Sequence, residues 1–133
     1  MIIISKIHFK KIKYYSHAYY IIRNKTIIGE IEFLIRNKMF LLSHLLIYPN
    51  YQKQYYGYAV IEHILSHYKI KSIIGETLTD SRGFWNKCIH KFNGQRKNIS
   101  YSKDCSSSFI IPKYKLSGIQ VYKCLHELYR TVM

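Results

Sequence analysis

Leu45-Leu46-Ile47-Tyr48-Pro49-Asn50-Tyr51-Gln52-Lys53-Gln54-Tyr55-Tyr56-Gly57-Tyr58-Ala59 carries the clearest structural signal in the chain. It is the end of an apolar strand, a proline stop, a short polar and basic turn, a glycine and the start of a helix. Pro49 ends the strand because it has no amide to give to a ladder. The first amides of a helix have no acceptor within it and lie at the positive end of its dipole, so such a turn is an anion site. Gly57 lets a phosphate approach the backbone without meeting a Cβ, and Lys53 adds a full positive charge.

Upstream of this turn the sequence reads as antiparallel strands. Ile2–Phe9 is one, followed by the basic Lys10-Lys11-Ile12-Lys13. Ala18–Arg23 and Thr26–Arg36 are the next two, separated by a tight turn at Asn24-Lys25. Glu30, Ile31, Glu32 and Phe33 alternate as a half-buried strand does. After a second turn at Asn37-Lys38, Met39–Tyr48 is apolar but for Ser43 and His44, which predicts cover on both faces.

Downstream, Tyr55–Tyr68 changes period: Ala59, Ile61, Ile64, Leu65 and Tyr68 recur at helical spacing. Ile70–Leu78 returns to strand character, and Asp80-Ser81 is positioned to cap a helix over Arg82–Lys91, which Phe92-Asn93-Gly94 breaks. Strand-like pieces at Ile99–Tyr101 and Phe109–Ile111 flank a polar loop over Ser102–Ser108. A last helix, Gly118–Val132, puts Val121, Tyr122, Leu125, Leu128 and Val132 on one stripe. The two strands around the first helix are expected to be parallel, joined by a right-handed crossover. With no internal repeat or linker-like segment, residues 1–133 read as a single domain.

The 133 residues carry 21 Lys and Arg against 7 Asp and Glu, a formal charge of +14. Such a field favours an acidic partner, whether tRNA, DNA, an acidic protein or an anionic cofactor; biased codon usage is the other source of a lysine excess. Cys88, Cys105 and Cys124 are an odd number without close spacing, so no disulfide framework or zinc knuckle is indicated and reduced, cytoplasmic thiols are expected. No run approaches the ~20 apolar residues of a membrane helix, so a soluble protein is expected. Oligomeric state is open, a dimer among the options.

The turn resembles the signature of the GNAT superfamily of N-acetyltransferases: apolar-x-Val/Ile-x-Pro-x-Tyr-Arg/Gln-x-x-Gly-x-Gly. Ile47, Pro49, Tyr51, Gln52 and Gly57 fall on it without a gap, while Tyr55 stands where the first glycine belongs. A register shifted to Gln54-x-x-Gly57-x-Ala59 would restore that glycine but break the spacing from Pro49. A second piece, Phe84-Trp85-Asn86-Lys87, resembles the family's Phe-Tyr or Phe-Trp then lysine on the following helix. The resemblance spans roughly residues 26–92. It implies an α/β (α+β) fold of GNAT type: a mixed, mostly antiparallel sheet with a parallel pair around the cofactor-binding helix. The two helices that normally follow the family's first strand have no room between Lys10 and His17.

The resemblance also implies function. Acetyl-CoA would be the acyl donor, held by Leu45, Ile47, Gln52, Lys53, Gln54, Tyr55, Tyr56, Gly57, Tyr58 and Trp85. Acyl transfer to an amine, on a protein or an aminoacyl-tRNA, needs a base for the acceptor's proton. The family places one five or six residues before the motif proline, where this chain has His44 and Ser43. A histidine can take a proton directly, so His44 is the first candidate; Glu76 on the next strand is the second. Packing alone is the competing explanation for His44, and an ion pair for Glu76. Trp85 occupies the place of the family's general acid, and an indole has no proton to give; core packing is its other reading.

His63 and His67, one helical turn apart, lack a third ligand and read as solvent-facing residues, so no metal is expected. Cys88 has no His-Asp partner pattern and reads as a small buried hydrophobe. Two other function classes stay open. One is a basic nucleic-acid-binding module using tyrosines beside lysines, as in Lys13-Tyr14-Tyr15 or Lys53-Gln54-Tyr55-Tyr56. The other is a GNAT-fold interaction protein without catalysis.

Overall fold

A computed structural model describes residues 6–132. The elements run β1 (Ile7–Lys11), β2 (Ala18–Arg23), β3 (Thr26–Arg36), β4 (Met39–Ile47), a single 3₁₀ turn at Pro49–Tyr51, α1 (Tyr56–His67), β5 (Ser72–Leu78), α2 (Arg82–Lys91), β6 (Gln95–Lys97), β7 (Cys105–Ile111) and α3 (Gly118–Val132). They build a seven-stranded sheet of order β1-β2-β3-β4-β5-β7-β6. Its β4–β5 pair is parallel, from Met39↔Ser72 to Leu42↔Gly75, as expected for strands joined through α1.

The chain forms two compact units. One comprises the residues up to Glu32 with His44–Lys69; the other comprises Phe33–Ser43 with the chain from Ile70 onward. In the first unit β1, β2 and β3 form an antiparallel meander. Asn24 and Lys25, at φ 49° and 69°, form the two-residue turn into β3; Asn37 and Lys38, at 52° and 63°, form the turn into β4. Positive φ at both central residues matches the twist of a hairpin, and asparagine tolerates it well. Ile21, Ile22, Ile28, Ile31, Val60, Ile61 and Ile64 are buried. The link from β1 to β2 is a short turn, with Ile12 N–H donating to Ala18 C=O at 2.9 Å, and holds no helices.

In the second unit β5, β7 and β6 pair antiparallel. Successive residues of β7 face opposite ways. Phe109 takes Trp85 of α2 in a stack at 4.0 Å, while Ile110 joins Leu34, Met39, Leu41 and Ile74 under Val121, Leu125 and Leu128 of α3. Helices thus cover both faces of β7.

Several expectations change in detail. The first strand begins at Ile7 and includes Lys10 and Lys11; Ile2–Ser5 lie outside the described residues. Continuous burial of β4 holds for Met39–Leu42, after which half-buried and exposed residues alternate to Ile47. Ser81 precedes α2 without a side-chain cap; its hydroxyl donates to Leu78 C=O at 3.2 Å instead. Ile99–Tyr101 is no strand, because the amides of Tyr101 and Ser102 donate to Glu76 rather than to a ladder. Gln95–Lys97, with no apolar alternation, is the strand paired to β7.

Candidate active site

The turn between β4 and α1 lies wholly in the first unit and is held by its own polar groups. Tyr48 N–H donates to Ile28 C=O at 2.8 Å, and Tyr51 N–H to Tyr48 C=O at 2.8 Å. The Gln52 side chain reaches back to donate to Ile47 C=O at 2.7 Å, and Gln54 donates to Asn50 C=O at 3.3 Å. These two amide side chains, expected to face a cofactor, spend a donor each on closing the loop. The Tyr48 hydroxyl donates to Glu30 at 2.7 Å; burial, then that carboxylate, pushes the phenol up to about 12.

Tyr55 has φ 63° and ψ 12° and is the N-cap of α1. This left-handed backbone is what glycine adopts freely and other residues adopt at a cost. Tyr55, where the sequence departs from the glycine signature, thus takes a backbone conformation that favours glycine. Ala59 N–H makes the first intrahelical bond, to Tyr55 C=O at 3.1 Å, and the amides of Tyr56 and Gly57 precede it. The N-cap makes no side-chain hydrogen bond and the first turn carries no acid. Lys53, also left-handed at φ 63°, is exposed beside it.

On β4, Leu45 and Ile47 are half-buried and His44 is exposed, not buried in the core.

The other candidates lie in the second unit. Glu76 is half-buried, and its carboxylate accepts from Tyr101 N–H at 2.5 Å, Ser102 N–H at 3.0 Å and the Ser102 hydroxyl at 2.7 Å. It clamps the loop before β7, a role that spacing along the chain did not signal. Burial and then Glu76 raise the Tyr129 phenol above its ordinary range. Trp85 is 6% exposed and sits against Phe109. Cys88 is fully buried, and burial pushes its thiol up to about 12, so it stays protonated.

His63 and His67 stack at 4.3 Å, and His67 Nδ1 lies 3.0 Å from His63 C=O. His63 is half-buried beside Phe9, not solvent-facing. Among the described residues no three His, Cys, Asp or Glu side chains are grouped to hold a metal, and no helix is long and apolar enough to cross a membrane.

No protein-family model matches the sequence, and a search of curated proteins finds no match. Solved structures do resemble it. A protein described as a GNAT-family acetyltransferase from Bacteroides thetaiotaomicron aligns with TM-score 0.61 at 16% identity, over 90% of this chain and 75% of its own. Tetrahymena GCN5 aligns with TM-score 0.55 at 16% identity, over 74% and 71%. Diaminobutyrate acetyltransferase from Paenibacillus lautus, solved with L-2,4-diaminobutyric acid and coenzyme A, aligns with TM-score 0.55 at 10% identity, over 76% and 74%. The chain has the fold of the GNAT acetyltransferases.

Proposed function

We propose that this protein is an N-acyltransferase that moves an acetyl group from acetyl-CoA to an amine acceptor. The observation that carries the reading is the left-handed Tyr55 at the uncapped start of α1, reached by a short turn from a strand whose last carbonyl is tied to Gln52. A pyrophosphate fits this turn: Tyr56 and Gly57 supply amides at the positive end of a helix, Lys53 supplies a charge, and residues 48–58 include no carboxylate. Leu45 and Ile47 offer a half-buried strand segment against which an extended, amide-bearing arm can lie as a further strand would.

Acetyl-CoA supplies an activated acyl group as a thioester. The chain's own contribution is to fix the donor's anionic end at α1 and to take a proton from the acceptor amine. His44 is the residue proposed for that proton, since it is exposed on the strand leading to the turn. Glu76 is the weaker candidate, because three donors already occupy its carboxylate. With Trp85 in the place of the family's general acid, the thiolate leaves without a proton from that position.

A binding module without chemistry is less favoured, because it leaves the anion turn on α1 without a use. The test is incubation with isotope-labelled acetyl-CoA and cell lysate, followed by a mass-spectrometric search for labelled amines. Label appearing in a defined product with the protein, and not without it, supports transfer and names the acceptor. Absence of any enzyme-dependent label, from protein shown to bind acetyl-CoA, points to the non-catalytic reading.

A further inference from the structure

The connector from β7 to α3 and the short edge strand β6 enclose a groove of about 370 Å³ lined by Gln95, Lys97, Lys113, Tyr114, Lys115 and Leu116. That volume is within the usual range for a small-molecule or nucleotide-sized site. Three of the six lining residues are lysines and none is an acid. Lys71 adds a fourth cation at the margin, its ammonium 5.3 Å from the Tyr114 ring centroid. Tyr114 is 37% exposed, with Lys71 over one face of its ring.

The neighbouring helix start does not account for this concentration of charge. Ser117 N–H donates to the Gln120 side chain at 2.7 Å and Gln120 N–H to the Ser117 hydroxyl at 3.2 Å. This reciprocal capping box occupies the end of α3, so the groove's capacity for anions rests on its lysines. Lysines on an edge strand also guard against strand-to-strand aggregation. That explains Lys97 on β6, but not Lys113 and Lys115, which come from a connector outside the sheet and converge on the same concavity around an aromatic ring.

We infer that this groove is a binding site for single-stranded nucleic acid, with Lys97, Lys113 and Lys115 on backbone phosphates and Tyr114 stacking on a base. Lysine neutralises phosphates and an exposed aromatic residue supplies sequence-tolerant stacking, the pairing that single-strand binders use. All the groove residues belong to the second unit and none to the donor turn. The inference therefore goes beyond the acetyl-transfer reading and stands or falls separately from it.

The experiment is fluorescence anisotropy with a labelled mixed-sequence RNA of about 12 nucleotides, within the span a single-strand site covers. It compares the wild type with K97Q/K113Q/K115Q, and with K10Q/K11Q/K13Q, which removes equal charge from an exposed stretch elsewhere. The groove variant is expected to bind at least tenfold more weakly. Its dependence of log K on log salt should be shallower by about 2, at roughly 0.7 for each single-strand phosphate that is no longer neutralised. The control triple should stay within about twofold, since its lysines do not touch the strand in this scheme. Equal losses in the two triples, or none in either, would overturn the site. Tyr114→Ala should weaken binding about fivefold or more by removing the stacking, while Tyr114→Phe, which keeps the ring, should not. If Tyr114→Ala binds as the wild type, the groove holds polyanions by charge alone and the nucleic-acid assignment fails.

Discussion

Gly29 on β3 lies directly against the backbone of Leu46 on β4: a Cβ at Gly29 would overlap the Leu46 carbonyl oxygen and stand 3.1 Å from the Ile47 Cα. The glycine is there for close approach, and that approach fixes where the strand leading into the α1 turn runs.

Gly29→Ala should therefore be among the more damaging single substitutions in the first unit. Backbone atoms cannot rotate away, so a cost of about 2 kcal/mol or more is expected. Chemical denaturation monitored by circular dichroism measures it. A loss below about 0.5 kcal/mol, the scale of an ordinary surface change, would mean that the strands are not packed this closely.

The Tyr55 backbone leads to a prediction of opposite sign. A left-handed conformation costs a non-glycine residue about 1–2 kcal/mol, and the Tyr55 side chain is 76% exposed. Tyr55→Gly should leave stability unchanged or raise it by up to about 1 kcal/mol, after allowing for glycine's greater entropy when unfolded. Tyr55→Ala should be the less stable of the two. The reverse order in thermal melts would show that the turn does not adopt this shape.

His63 gives the first unit an acid-sensitive point. Burial chiefly, then the charges of His67 and His8, lower its pKa in the folded chain. An unfolded histidine titrates near 6.5, so below that value unfolded chains bind the extra proton first. The stabilising contribution is complete above about pH 6.5 and is lost as pH falls through that value towards the lowered folded pKa. His63→Phe keeps a ring against Phe9, now 5.1 Å away, and removes the titration. Its melting temperature should fall less between neutral and mildly acid pH than the wild type's. Parallel curves would rule His63 out as the sensitive group.

His44 and Glu76 are separable by kinetics. His44→Ala should lower kcat roughly a hundredfold or more with acetyl-CoA affinity nearly unchanged, as expected for a general base. It should also change the shape of the pH–rate profile, which loss of a residue that only packs would leave alone. Glu76→Gln weakens a carboxylate that holds the 101–102 loop, so it should lower the melting temperature and leave the shape of the pH–rate profile unaltered. A flattened profile in Glu76→Gln, with His44→Ala active, would transfer the base to Glu76.

Much of the fold was legible in the sequence. β2, β3 and α3 fall where alternation, helical stripes and the Asn-Lys turns put them, because each signal is local. The GNAT pattern around Pro49 and Gly57 correctly anticipated the parallel pair and the turn between strand and helix. What was not legible depended on partners distant in the chain. Gln95–Lys97 is a strand because β7 offers it a ladder. Ile99–Tyr101 looks like a strand, yet Tyr101 gives its amide to Glu76, 25 residues away. The roles of Gln52 and Gln54 as loop staples, and the convergence of Lys97 with Lys113 and Lys115, likewise come from folding rather than spacing.

Whether the start of α1 holds the diphosphate of acetyl-CoA is decided by isothermal titration calorimetry of wild-type and Gly57→Val proteins with acetyl-CoA. One site per chain is the expected result for the wild type. Gly57→Val, with its fold verified by circular dichroism, should bind at least tenfold more weakly, because a branched side chain stands where the phosphates approach the amides. No heat of binding with the wild type, or equal affinity in the folded variant, would contradict the claim.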